Sequence, residues 1–196
     1  MLLSLFFSAG QARYYPGAFC RHEMTPSRNL VIVTLDGVRW QEVFLGADQS
    51  LLNDPSYNED TSISKLLYWS EAQEERRKKL MPFLWNVLAN KGQLLGNREY
   101  GNNFNIANSY GISYPGYNEM LTGNTDQQVS SNKKRWNNNL NVLEYLNGQD
   151  GFNEKIAVFT SWNVFPYILN TRRNGLKANC GIDSSNTSLL SEKQAL

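Results

Sequence analysis

Histidine and cysteine are scarce in this chain of 196 residues, which contains one histidine and two cysteines. Two cysteines are too few for a disulfide framework, although Cys20 and Cys180 could form one bridge in an exported protein. The chain also has no large excess of positive or negative charge, because its formal net charge is only +1. A balanced charge argues against a nucleic-acid binder and against a protein of acidic lipid surfaces. We therefore expect no nucleic-acid partner.

The remaining composition is ordinary for a globular domain, with 41% hydrophobic and 19% charged residues. A short apolar run at residues 2–7 precedes small residues at 8–12, as in a secretory signal without its positively charged start. The run is too short to span a membrane. We expect residues 1–27 to be a signal segment and linker of an exported protein, periplasmic or secreted, with no stable membrane insertion. The alternative is an ordinary buried segment.

An apolar run at residues 30–35 ends at Asp36. Its β-branched residues favour a strand, and a continuous apolar run is typical of a parallel sheet covered on both faces. An acidic residue at the carboxyl end of such a strand lies where α/β folds bind ligands. Two interpretations are open: Asp36 binds a ligand, or it caps the short helix that follows near Arg39.

A second signal is a loop that leads into a short helix ending at Gly123. Pro115 is tolerated in the first turn of a helix, because its missing N–H would have no partner there. Ser113 would then lie at or just before the helix start. There the exposed N–H groups and the helix dipole favour an anion, including the alkoxide of an activated serine. The alternative is that Ser113 is an ordinary N-cap.

Together, residues 33–37 and 113–123 resemble the alkaline phosphatase superfamily of metal-dependent phospho- and sulfo-hydrolases. In that superfamily a metal-binding Asp ends the first strand, and a Ser or Thr nucleophile opens a helix that closes with Thr-Gly. Residues 158–167 look like the third strand and turn of its phosphoglyceromutase-like members. The resemblance extends over residues 29–181, which is most of the chain.

The resemblance implies a hydrolase of small phosphorylated substrates with two divalent metal ions, zinc first and manganese or calcium as alternatives. It implies that Asp36 and Ser113 bind metal and that the Ser113 hydroxyl attacks phosphorus, after which water hydrolyses the phosphoseryl intermediate. Asn118 would donate a hydrogen bond to a phosphate oxygen. Gly116 replaces an Asn of phosphodiesterase-like members, and Tyr117 replaces an Arg that sulfatases need. An exported phosphomonoesterase or phosphodiesterase is expected ahead of a sulfatase-like or phosphoglycerate mutase-like relative.

The superfamily takes its other metal ligands, several Asp and His residues, from the second half of a longer domain. Here the one histidine, His22, precedes the first predicted strand, and one carboxylate with one hydroxyl cannot hold two ions. We therefore expect residues 28–196 to be the amino-terminal part of an alkaline phosphatase-like domain, inactive by itself. The alternative is a non-catalytic α/β binding domain in which Asp36 and Ser113 cap helices.

Strand and helix patterns alternate along the chain, which predicts an α/β fold with a largely parallel sheet flanked by helices. The basic cluster at 76–79 follows acidic residues at helical spacing and predicts a solvated helix face. The many asparagines are typical of polar loops. The further predicted elements are a helix over 72–89 interrupted by Pro82, a strand over 93–100, a helix over 139–146, a strand over 155–160 and a helical turn at 164–169.

Overall fold

The structure, a computed structural model, describes residues 3–7 as backbone and residues 29–181 with their side chains. The chain divides into two compact units, Met1–Asn105 and Ile106–Leu196. The described elements are mixed α and β, mostly helices, with a parallel sheet of two strands in the second unit. The predicted α/β class is confirmed at this level.

The first unit begins with an antiparallel pair of strands, β1 (Leu3–Phe7) and β2 (Val31–Leu35). Short helices follow. These are α1 (Trp40–Leu45), α2 (Gln49–Asn53), α3 (Thr61–Tyr68), α4 (Gln73–Leu80), a π-helical turn (Leu84–Leu88), α5 (Ala89–Lys91) and a 3-10 turn (Arg98–Tyr100).

The surroundings of β2 differ from the prediction of a buried strand in a parallel sheet. It pairs antiparallel with β1, and Val31, Val33 and Leu35 keep 58%, 38% and 40% of their surface exposed. The next part of the chain does not supply the neighbouring strand that was predicted. Residues 93–100 were predicted to form the second strand, but among the described residues this segment contains only the 3-10 turn. The strand prediction for 93–100 is therefore wrong, and β2 finds its partner in the apolar run before it.

The core of the first unit forms between α1 and the π-helical turn. Val43, Phe44 and Leu84 are buried in one cluster. The Trp85 ring packs edge-on against Phe44 with 6.1 Å between the ring centroids, and its Nε1 donates to the Val43 carbonyl over 2.9 Å. The predicted interruption near Pro82 is confirmed, because α4 ends at Leu80 and the π-helical turn begins four residues later.

The basic cluster of α4 is packed against the protein to a greater extent than predicted. The Arg77 guanidinium carbon lies 3.7 Å from the centroid of the Trp85 ring. Arg76 donates from Nε to the Leu45 carbonyl over 3.0 Å, which satisfies an oxygen at the end of α1. Lys78 forms an ion pair with Glu75, three residues before it, over 2.9 Å. The solvated-face interpretation is wrong for the two arginines.

The second unit contains α6 (Ser113–Thr122), α7 (Val142–Asn147), β3 (Ala157–Phe159), α8 (Phe165–Leu169), α9 (Thr171–Asn174) and β4 (Lys177–Asn179). β3 and β4 pair in parallel, and α8 and α9 lie in the connection between them. The helix, strand and helical turn predicted for this region are confirmed, with bounds that differ from the predicted ones by up to three residues. The buried apolar residues are Tyr114, Tyr117, Leu121, Val164, Phe165, Ile168, Leu169 and Leu176.

The amino-terminal expectations fall mostly outside the described residues. His22 and Cys20 lie outside them, and so does most of the segment expected to be a signal and linker. The export prediction and the pairing of Cys20 with Cys180 therefore stay predictions. In the parts of the chain that the structure describes, no helix has the length and apolar character to cross a membrane.

Gly46 offers a test of the packing between α1 and α4. Its φ is +84°, and a Cβ built there would lie 2.6 Å from the backbone nitrogen of Arg77. We expect Gly46→Ala to lower the free energy of unfolding by about 2–4 kcal/mol, because backbone strain adds to the overlap. The matched control is Gly101→Ala, since Gly101 has φ of +69° with no atom within 4 Å of the built Cβ. The control should cost only about 1 kcal/mol. Urea denaturation measures both, and equal losses would contradict the close contact with α4.

Candidate functional site

Ser113 is the first residue of α6, as the sequence predicted. Ile112 is the N-cap, with extended backbone angles and no side-chain capping bond. The helix ends at Gly123, whose N–H donates to the Glu119 carbonyl over 2.8 Å. Ser113 is therefore not an N-cap, and the alternative that gave it this role is wrong.

The Ser113 hydroxyl and backbone N–H have no hydrogen-bond partner among the described residues, and the residue is partly exposed. The next two residues add no available backbone N–H at the helix start. The Tyr114 N–H donates to the side-chain oxygen of Asn132 over 2.9 Å, and Pro115 has no N–H. An anion at the start of α6 would therefore find one backbone donor, that of Ser113, beside the serine hydroxyl.

Tyr114 anchors the start of α6. Its hydroxyl lies 2.6 Å from the Arg135 carbonyl oxygen and 3.1 Å from that of Tyr167. Burial raises the pKa of Tyr114 to about 12, so the phenol keeps its proton at neutral pH and remains a donor. Because Tyr114 is buried and bonded at both its N–H and its hydroxyl, the residue before it has a fixed position in the second unit.

Asn118 lies one turn further along α6 and is only 1% exposed. Its Oδ1 accepts from the Nδ2 atoms of Asn137 and Asn139 at 2.9 and 3.0 Å. Its own Nδ2 donates to the Asn124 carbonyl over 3.2 Å. The amide is engaged by protein groups on both sides, so the predicted bond to a substrate phosphate has no support in this geometry. Asn118 is a structural residue of α6.

Sequence reasoning missed the role of the asparagines, which were predicted to mark polar loops. Asn118, Asn137, Asn141 and Asn170 are buried. Asn141 accepts from a backbone N–H of α7 and donates to a carbonyl of α8, while Asn170 donates to the Asn137 carbonyl over 2.7 Å. One sequence signal could have revealed part of this set: asparagine recurs at every second position of 137–141, which places three side chains on one side of an extended segment.

Arg173, in α9, bonds both to α7 and to the segment at 137–141. Its Nε and one terminal nitrogen donate to the two Glu144 carboxylate oxygens at 2.7 and 2.6 Å. The same guanidinium donates to the carbonyls of Asn138 and Asn139 at 3.2 and 3.1 Å. The hydrogen bonds from Arg173 hold the pKa of Glu144 below its ordinary value. This fork joins α7, α9 and the segment at 137–141.

Asp36 belongs to the first unit, where it follows the last residue of β2 and is exposed. Its Oδ1 accepts from the Gly37 N–H over 2.9 Å, and its other oxygen has no partner among the described residues. The N-cap of α1 is Arg39, so the alternative that Asp36 caps this helix is wrong. Because Asp36 and Ser113 belong to different units, their shared metal site stays a prediction.

Metal ligands do not cluster in the described part of the chain. Among residues 29–181, no group of three or more His, Cys, Asp or Glu side chains could hold an ion. The described residues therefore do not fit the two-ion centre by themselves. Asp36 could supply one ligand, and the remaining ligands would have to come from outside the described residues.

Comparison of the chain with family models, with curated proteins and with solved structures finds no match. The class that the structure defines is a mixed α/β protein, mostly helical, with a two-stranded parallel sheet in its second unit. Its membership of the alkaline phosphatase superfamily stays a prediction.

The structural role of Asn118 can be tested by truncation. We expect Asn118→Ala to lower the free energy of unfolding by about 1–3 kcal/mol, because the buried Asn137 amide and the partly buried Asn139 amide lose their shared acceptor. Asn138→Ala is the matched control, since the Asn138 side chain is exposed and has no hydrogen bond with described residues. It should change stability by less than about 0.5 kcal/mol. Thermal or urea unfolding gives both values. An unchanged Asn118→Ala would show that the network does not support α6.

The Arg173–Glu144 fork predicts a pH dependence of stability. Because the pKa of folded Glu144 is depressed, its contribution is fully present above the ordinary value of 4.5 and is lost as pH falls through the lower folded value. Glu144→Gln should therefore cost about 1 kcal/mol at pH 7. The difference from the parent should shrink in acid below the ordinary value. Urea titrations across pH 3–7 measure this trend, and a constant difference would contradict it.

Proposed function

We propose that this chain is the amino-terminal part of an exported, metal-dependent hydrolase of phosphoric esters in which Ser113 is the nucleophile. The supporting observation is the position of Ser113 at the first residue of a ten-residue helix, with no hydrogen bond to its hydroxyl from described residues. A capping serine has its oxygen engaged by backbone N–H groups. The Ser113 oxygen is not engaged in this way and is available to attack a substrate.

In the proposed reaction, the Ser113 Oγ forms a bond to phosphorus and the bond from phosphorus to the ester oxygen breaks. The leaving alcohol takes up the proton that the serine gives up, and water then cleaves the phosphoseryl ester to release phosphate. Divalent ions, zinc first, would offset phosphate charge when bound. This chain contributes the Ser113 N–H as a donor to a phosphate oxygen, and Tyr114 and Asn132 hold the helix start in place.

Asp36 is the proposed metal ligand of this chain. It is an exposed carboxylate that follows a strand, and only one of its oxygens accepts a hydrogen bond from described residues. A carboxylate oxygen is a ligand that divalent metal ions accept in proteins. Asp36 would need further ligands from outside the described residues. The substrate class is a small phosphorylated compound.

A non-catalytic α/β binding domain is the second candidate. The burial of Asn118 favours it, because the amide predicted to donate to a substrate phosphate is bonded to protein groups instead. The capping roles that first suggested this candidate are gone, since neither Asp36 nor Ser113 caps a helix. The two candidates differ in a measurable way: only the hydrolase requires Ser113 chemically.

The test uses the full-length protein and two substitutions. Ser113→Ala should lower turnover of a chromogenic phosphate ester by at least about 1000-fold while bound metal is retained, because only the attacking oxygen is lost. Asp36→Asn should lower metal content and turnover together, because the charge that holds the cation is removed. Melting temperatures should be nearly unchanged in both.

Ser109→Ala is the matched control, because Ser109 is an exposed serine before the same helix with no hydrogen bond to described residues. It should keep activity and metal. Turnover, metal content and melting temperature are measured on the same preparations. Parental turnover in Ser113→Ala would end the nucleophile assignment and leave the binding domain as the better proposal.

A further inference from the structure

The second unit contains a cleft of about 210 Å³. Tyr114, Lys133, Arg135, Trp136, Asn137 and Asp126 are among the residues that line it. The volume is below the range of roughly 300–1,000 Å³ that is usual for pockets of drug-sized ligands. A single ring with one charged substituent fits this size better than a nucleotide or a peptide.

The cleft has unpaired positive charge. Lys133 and Arg135 line it, and neither side chain forms an ion pair or hydrogen bond with a described residue. The one acidic lining residue is Asp126, whose carboxylate accepts from the Asn139 side chain at 2.7 Å and from the Gln128 N–H at 2.8 Å. Two cations against one carboxylate give the lining a formal net charge of +1. An anion is therefore the ligand that this charge favours.

The wall of the cleft is held in place before any ligand arrives. The Arg135 carbonyl accepts from the buried Tyr114 hydroxyl, and the Asn137 side chain donates to Asn118 and to the Ile168 carbonyl. A wall that is already ordered loses little conformational entropy on binding.

Trp136 gives the cleft an aromatic surface. Its ring packs on Tyr167 with 4.4 Å between the centroids, yet 39% of the residue remains exposed. A tryptophan held by one aromatic partner can offer its remaining exposed surface to a planar ligand. The cleft thus combines two cations that have no partner among the described residues with an indole that packs on Tyr167.

We propose that this cleft binds a small aromatic phosphate or sulfate, with Lys133 and Arg135 at the anionic group and Trp136 against the ring. Ser113 is not among the residues that line the cleft. The binding goes beyond the proposed hydrolase function, because it requires neither a metal ion nor attack by the serine.

The test is calorimetric titration of the chain with phenyl phosphate, phenyl sulfate, inorganic phosphate and phenol, in buffer with a metal chelator. Either phenyl ester should bind at least about tenfold more tightly than inorganic phosphate or phenol, because it uses both the cations and the ring. Lys133→Ala should weaken ester binding about tenfold or more. Lys134→Ala is the matched control, since this neighbouring exposed lysine does not line the cleft. It should change the affinity less than about twofold.

Three results would overturn the proposal. Equal losses of ester affinity in Lys133→Ala and Lys134→Ala would indicate attraction to the general positive charge of the surface. Equal affinities for phenyl phosphate and inorganic phosphate would show that Trp136 does not contact the ring. Binding that is lost in Ser113→Ala but kept in Lys133→Ala would place the ligand at the start of α6, which would support the hydrolase proposal alone. Binding kept in Ser113→Ala and lost in Lys133→Ala supports the cleft, whatever the outcome of the turnover experiment. Circular dichroism checks that each variant folds.

Discussion

Buried carboxamide groups join the separate pieces of the second unit. The short parallel pair β3–β4 has three residues in each strand, so a sheet ladder cannot organise the unit by itself. An asparagine side chain both donates and accepts, and it can therefore connect two backbone segments that lie outside any ladder. The segment at 137–141 is bonded in this way to α6, α7 and α8. Asn118 of α6 and Asn137 in the wall of the cleft share this support, so a missing amide would affect both.

The elements that could be predicted are those whose signals are local. Pro115 and Gly123 mark the ends of α6 by the conformations that their own backbones favour, and the structure begins and ends the helix accordingly. The environment of β2 could not be predicted in the same way. An apolar run of β-branched residues looks alike whether helices cover it or an antiparallel partner borders it. Which of these occurs depends on distant parts of the chain.

In the candidate site, too, the position of a residue in its strand or helix could be predicted, whereas its surroundings could not. Asp36 after a strand and Ser113 at a helix start were correctly located, because each lies next to a strong local signal. Asn118 was assigned to substrate because a helical asparagine near a candidate nucleophile has the same sequence context in either role. Its partners Asn137 and Asn139 lie 19 and 21 residues away in the sequence. Because these partners are distant, the residues next to Asn118 carry no signal that predicts its burial. Which residues come together as metal ligands also depends on parts of the chain that are distant in sequence.

The exposed strand β2 has a consequence for handling the chain in solution. Among the described residues it pairs on one side only, and residues 30–35 contain no charge, proline or glycine. A short uncharged run of high β propensity at an open strand edge is a template for intermolecular pairing. A net charge of +1 supplies almost no electrostatic repulsion between copies. A lysine introduced on the open side of this strand is therefore expected to act as a gatekeeper against pairing between copies of the chain.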